Sequence, residues 1–202
     1  MTVVVLCRHG EPEEAGRGRF CGALDVGLSE RGRAHAVALA ACVEADVVYT
    51  SPLRRCVETA RALAARLGVE PVVEPRLREI EFGELDGVAY EDAERRWPAL
   101  YTELLRSPAT VRFPGGESYG ELRIRVCEAL DELLDRHGGG SVAVLTHAGV
   151  IRTLLAHVLS LPDEAFFRID QRYGAVNVVE WAGGAPVVRL VNAPPASLAP
   201  DA

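Results

Sequence analysis

The sequence predicts an α/β fold, a sandwich with a mostly parallel central sheet. Three observations carry that prediction. Short, continuous apolar runs rich in β-branched residues recur along the chain, as expected of strands buried on both faces. Segments near helical period alternate with them, and the repeated strand–helix order implies right-handed crossovers. Capping residues and glycines mark the boundaries between the two kinds of segment.

In chain order, Val3 to Arg8 forms the first buried strand. Ser29 caps a helix that runs through His35, Val37, Leu39 and Val43. Asp46 to Thr50 is the next strand, and Ser51-Pro52 opens a helix with Pro52 at its first position, ending at Gly68. Val72-Val73 is a short strand, and Leu77 to Gly87 reads as a loop with two glycines and several carboxylates. Two short helices interrupted at Pro98 lie between Val88 and Arg106. Ser118 and Glu121 form a capping box for a long helix that stops at Gly138-Gly139-Gly140. Ser141 to Thr146 is a strand, Val150 to Leu159 a helix, and Val176 to Trp181 and Val187 to Val191 the last strands. Residues 1–192 read as a single domain with a helical insertion at about 88–113, and 193–202 as a flexible tail without periodicity.

Composition narrows the function classes. The chain has 202 residues, 49% hydrophobic and 25% charged, enough for a substantial core with an ordinary soluble surface. No apolar run approaches the ~20 residues of a membrane span. Met1 leads directly into Val3-Val4-Val5-Leu6 without a basic leader, which points to a cytoplasmic location. Five scattered cysteines without a C-x-x-C pair indicate buried thiols and neither a disulfide scaffold nor a metal knuckle. A net charge of -7 and the absence of a basic run argue against a nucleic-acid partner. A small phosphorylated metabolite remains compatible, as does a homodimer.

In such sheets, ligand sites gather beyond the carboxyl ends of the strands. Three polar clusters fall there: Arg8-His9-Gly10-Glu11, Ser51 to Arg55, and Thr146-His147-Ala148-Gly149. A lone histidine is more often structural than catalytic, but His9 and His147 share one end of the sheet. For a phosphomonoester, Arg8 and one of Arg54 and Arg55 supply planar forks that match phosphate oxygens. The start of the helix after His147 adds amide donors. Nearby cations favour the neutral imidazole at His9, whose lone pair can attack phosphorus. Glu79 and Glu81 are the candidate proton donors to the leaving oxygen, since a carboxyl facing a phosphate dianion keeps its proton more readily.

These residues carry a resemblance. Arg8-His9-Gly10-Glu11 resembles the R-H-G-[EQ] signature of the histidine phosphatase superfamily, the phosphoglycerate mutase-like proteins. Ser51 to Ala60 is similar to its S-x-L-x-R-[AC]-x-x-T-A, Leu77 to Gly83 to its L-x-E-x-x-[FY]-G, and His147 to Val150 to its H-x-G-V. Pro114 to Ser118 and Tyr173 to Asn177 also resemble segments of relatives, so the likeness covers most of the chain in order. The resemblance implies a three-layer sandwich with helices on both faces of the sheet. It implies that His9 is the phosphorylated nucleophile, that Arg8, Arg55 and His147 hold the phosphate, and that Glu79 rather than Glu81 is the acid. It also implies no metal and no cofactor. Where many relatives carry T-x-W-N after the signature, this chain has Pro12, Glu14 and Ala15, so a phosphate-contacting hydroxyl and asparagine are missing.

The expected activity is hydrolysis of small phosphomonoesters through a phosphohistidine at His9, with α-ribazole phosphatase-like enzymes as one subgroup. Cofactor-dependent phosphoglycerate mutases are the nearest alternative, but they carry a larger insertion than Val88 to Phe113. A binding protein that had lost the chemistry would lack His9 or Glu79, and both are present. Gly116-Glu117-Ser118-Tyr119-Gly120 fits the G-x-S-x-G elbow of serine esterases, yet a turn at Phe113-Pro114-Gly115 precedes it in place of a buried strand. A cysteine phosphatase needs arginine six residues after its cysteine, and none of the five cysteines has one.

Overall fold

Six strands form one sheet in the order β3-β2-β4-β1-β5-β6, in a computed structural model that describes residues 1–13, 18–182 and 185–198. The strands are β1 (Thr2–Arg8), β2 (Val47–Thr50), β3 (Val72–Val73), β4 (Ser141–Thr146), β5 (Val176–Ala182) and β6 (Ala185–Ala193). β1, β2, β3 and β4 run parallel, whereas β5 and β6 are antiparallel additions at one edge. β1 and β4 take the centre because their apolar runs are continuous, which only a strand covered on both faces requires.

The two-residue alternation of the strands splits the core into two layers. Val4 and Leu6 of β1, with Val142 and Val144 of β4, pack under α5 (Tyr119–Arg136) and α6 (Ala148–Val158). Val5 and Cys7, with Ala143 and Leu145, pack under α1 (Glu30–Cys42) and α2 (Arg54–Leu67). Two short helices, α3 (Tyr90–Arg96) and α4 (Pro98–Arg106), meet at Pro98, where a missing N–H is harmless at a helix start. The result is a sheet between two helical layers.

The caps at Ser29 and Ser118 form as the sequence suggests, the second as a full capping box with Glu121. Ser118 is thereby committed to the start of α5, which removes it as a nucleophile. Several boundaries shift, among them the start of α6 at Ala148 and the span of β6, and two of the shifts have a clear cause. Helix α2 begins at Arg54 instead of Pro52, because the Asp25 carboxylate, from a distant loop, accepts the Arg54 N–H at 2.7 Å and supplies the cap. The segment read as a tail from 193 is ordered through 198. Ala193 pairs with Val176, and Pro195–Leu198 form a 3-10 turn whose Leu198 packs on the layer of α1 and α2. Residues 199–202, and the first-loop residues Glu14 and Ala15, lie outside the described residues.

Register decides where the polar clusters go. Arg8 is opposite Thr146, and Thr50 is opposite Leu145, so three parallel strands end nearly flush. Cys7 is opposite Val176 at the start of β5, which brings Tyr173-Gly174 to the same edge.

Candidate active site

His9 follows β1 directly and is buried. Its backbone N–H donates to the Thr146 carbonyl at 3.0 Å, and its own carbonyl accepts from Gly174 at 3.1 Å. Gly10 permits α1 to approach: a Cβ there would lie 2.2 Å from the Gly32 carbonyl oxygen. The ring nitrogen Nδ1 faces the Gly10 carbonyl at 2.7 Å. A carbonyl only accepts, so Nδ1 carries the proton and the lone pair resides on Nε2.

His147 stands edge-on to His9, with ring centroids 5.1 Å apart and an angle of 63° between the rings. Its Nε2 is 2.7 Å from the Ser51 hydroxyl, with the Cys56 thiol at 3.4 Å. His147 is fully buried and flanks His9 without lining the cavity described below.

Arg55 is buried, and its terminal nitrogens donate to the carbonyls of Leu24, Cys21 and Gly22. Arg8 donates to the Gln171 carbonyl at 2.5 Å and stacks over Tyr173, 3.9 Å from the ring centre. Both arginines keep a buried Nε–H without a partner, and no other buried side-chain nitrogen or oxygen among the described residues is in that state. Leaving such a donor unmet costs roughly 1–3 kcal/mol, a cost the fold carries at two guanidinium groups that line the cavity described below. Arg54, by contrast, is exposed and paired with Glu58. The distinction between the two neighbours is that one turns inward with the first buried face of α2.

Glu79 is buried against the start of α6. Its Oε1 accepts the Ile80 N–H at 3.0 Å and its Oε2 accepts the Gly149 N–H at 3.1 Å. Gly149 makes this contact possible, since a Cβ there would come within 2.3 Å of Oε1. Glu81 instead faces Arg78, which donates to it at 2.9 Å.

A cavity of about 330 Å³ is lined by Arg8, His9, Arg55, Glu79, Arg152 and Tyr173, together with Arg19 and several aromatic rings. Four arginines and one carboxylate line it, so a chain of net charge -7 holds a cationic pocket. Among the described residues, no group of three or more His, Cys, Asp and Glu side chains could hold a metal ion, and no helix is long and apolar enough to cross a membrane.

Sequence reasoning missed several supporting residues. Arg152 lies one helical turn beyond Ala148, and that spacing on α6 is the signal that could have placed it in the cavity. Thr59 was visible only as part of a motif. Its hydroxyl donates to the Arg55 carbonyl at 2.7 Å and accepts the Gly10 N–H at 3.1 Å, tying the two loops together. Arg125 donates to the carbonyls of Arg76, Arg78 and Glu79 while bridging Glu117, and so fixes the backbone that carries Glu79. Nothing local in the sequence announces that long-range contact.

The same fold and motifs occur elsewhere. The family model of the histidine phosphatase superfamily (branch 1) matches residues 4–194. The chain belongs to the histidine phosphatase superfamily. It is 34% identical to phosphoserine phosphatase 1 of Hydrogenobacter thermophilus, over 95% of this chain and 92% of that protein. It is 33% identical to a metal-independent phosphoserine phosphatase of Arabidopsis thaliana, over 78% of this chain and 69% of that one. The structure of Bacillus stearothermophilus YhfR superposes with a TM-score of 0.87 at 29% identity, covering 96% of this chain and 98% of that chain. This histidine phosphatase is accordingly a phosphoric monoester hydrolase acting on small phosphomonoesters.

Burial, then Arg55 and Arg8, hold the His9 pKa well below the ordinary histidine value. His147 is lowered in the same way, by burial and then by Arg55, His9 and Arg8. Both rings stay neutral at pH 7 in the folded protein. The unfolded chain protonates them near pH ~6.5. Below that pH the unfolded state therefore binds protons that the folded state refuses, and stability falls. Each ring contributes up to about 1.4 kcal/mol per pH unit in the window between the two values. Urea midpoints measured at pH 7.5 and pH 5.5 should show a loss at the lower pH, with a smaller loss in His9→Asn. An equal pH dependence in the two proteins would contradict the neutral, buried state of His9.

Proposed function

We propose that this phosphatase works through a phosphohistidine at His9, with Glu79 moving the proton and Arg8 and Arg55 holding the phosphoryl group. The carrying observation is the tautomer: Nδ1 is committed to the Gly10 carbonyl, which leaves the Nε2 lone pair on a ring that lines a cationic cavity. In the first step Nε2 bonds to phosphorus as the ester P–O bond breaks, and the leaving oxygen takes a proton from the Glu79 carboxyl. In the second, water gives a proton to the Glu79 carboxylate and its oxygen bonds to phosphorus, breaking the P–N bond. His147, pinned by Ser51, supports the His9 ring from the side. Charge stabilisation by prearranged guanidinium groups needs no metal.

O-phosphoserine, the substrate in the names of two relatives, is the first ester to assay. We take residues 1–198 as one catalytic domain, with α3 and α4 as its helical insertion. A reducing cytoplasm suits its five free cysteines. Rapid quenching after mixing with a ³²P-labelled ester should yield one acid-labile, alkali-stable phosphoryl group per chain. With 3-phosphoglycerate and catalytic 2,3-bisphosphoglycerate, free phosphate should appear. Isomerisation without phosphate release would instead make the protein a mutase, and an absence of acid-labile label would refute the covalent route.

A further inference from the structure

We propose that the phosphate cavity opens into an apolar chamber for the leaving group, so that the enzyme prefers monoesters of apolar alcohols. The inference rests on the reading of His9 as the nucleophile. A second cavity, of about 430 Å³, shares Phe82, Tyr90, Tyr119 and Arg152 with the phosphate cavity. Its remaining wall is Phe20, Tyr101, Leu104, Leu105, Phe113 and Phe167. No carboxylate lines it, and its one charge, Arg152, belongs to the shared boundary. Both cavities fall within the ~300–1,000 Å³ of ordinary small-molecule clefts.

The wall is a braced surface. Phe20 meets Phe82 and Tyr90 edge-to-face at 4.9 Å, and Phe82 meets Phe113 at 5.0 Å, so each ring is held by another. The helical insertion supplies the rest, with Tyr90 from α3 and Tyr101, Leu104 and Leu105 from α4. Tyr90 and Leu105 are 53% and 64% exposed, an apolar rim placed beside a catalytic cavity. Because Phe82, Tyr90, Tyr119 and Arg152 line both cavities, the occupant we propose is the leaving group of an ester whose phosphoryl group sits at His9. An ammonium and carboxylate pair, as on serine, would find Arg152 and the hydroxyls of Tyr90, Tyr101 and Tyr119 as its polar partners, and otherwise apolar carbon. An alkyl or aryl group would find a matching surface, and each buried methylene should raise kcat/KM about fourfold.

Primary n-alkyl phosphates from ethyl to hexyl test this, because their leaving oxygens have nearly equal basicity and only the chain length changes. The expected result is kcat/KM rising about fourfold per methylene before a plateau, and hexyl phosphate preferred to O-phosphoserine. In parallel, n-alkylphosphonates should bind His9→Ala, measured calorimetrically, with the same increment. At the rim, Leu105→Glu should lower the hexyl-to-ethyl ratio at least tenfold, whereas Leu105→Met should keep it. A flat series with active enzyme would overturn the chamber and leave the nucleophile standing. Phosphonate affinity that rises with chain length, with no ester hydrolysed, would support the chamber and refute the nucleophile. An unchanged ratio in Leu105→Glu would also overturn it.

Discussion

Replacing His9 with alanine should lower kcat by about 10⁴-fold or more, with phosphate still bound. A covalent route loses its first step without the nucleophile, and removal of a nucleophile from a hydrolase can cost about 10⁶-fold in kcat. The binding side differs, because Arg8 and Arg55 are held by the carbonyls of Gln171, Leu24, Cys21 and Gly22, not by the imidazole. The variant should therefore bind inorganic phosphate or vanadate in calorimetry while releasing no product and trapping no label. Undiminished turnover would refute the mechanism outright. Loss of both turnover and anion binding would assign His9 to the clamp.

The second large effect concerns Glu79. Glu79→Gln should reduce hydrolysis of alkyl phosphates by about 10²–10⁴-fold, the usual range for a positioned acid. The discriminating result lies in the choice of leaving group. p-Nitrophenolate departs without a proton, so the first step should survive in the variant while water activation in the second step fails. One equivalent of nitrophenolate per chain should then appear in a burst, followed by slow turnover and an accumulated phosphoenzyme. An equal loss with both esters and no burst would mean that residue 79 only supports the loop. The substitution also places an amide NH₂ against one of the two N–H donors that the carboxylate now accepts. A circular dichroism melt is therefore part of the experiment.

Legibility in the sequence followed the range of the forces involved. β1 and β4 could be read nearly to the residue because a strand covered on both faces writes its burial as an uninterrupted apolar run. Their flush ends then placed His9 and His147 together, and the motif resemblance separated Arg55 from Arg54 and Glu79 from Glu81. The start of α2 was misread because Pro52 is a local signal, while the cap comes from Asp25 across the fold. Ala193 looked like tail on composition, since a strand pairing with Val176 leaves no mark in an Ala-Pro-Pro stretch. The aromatic chamber was equally invisible. Phe20, Phe113 and Phe167 are scattered through the chain, and each would serve as ordinary core until packing shows space between them.

The four arginines around the cavity have a consequence for the whole molecule. An anion held among them would bind the folded chain and not the unfolded one, and so would act as a folding ligand. At a hundredfold excess over its Kd such an ion adds about 2.7 kcal/mol, a large share of a typical domain's margin. Inorganic phosphate is also the product. A rise in melting temperature with added phosphate and inhibition of turnover by phosphate should therefore follow a single Kd.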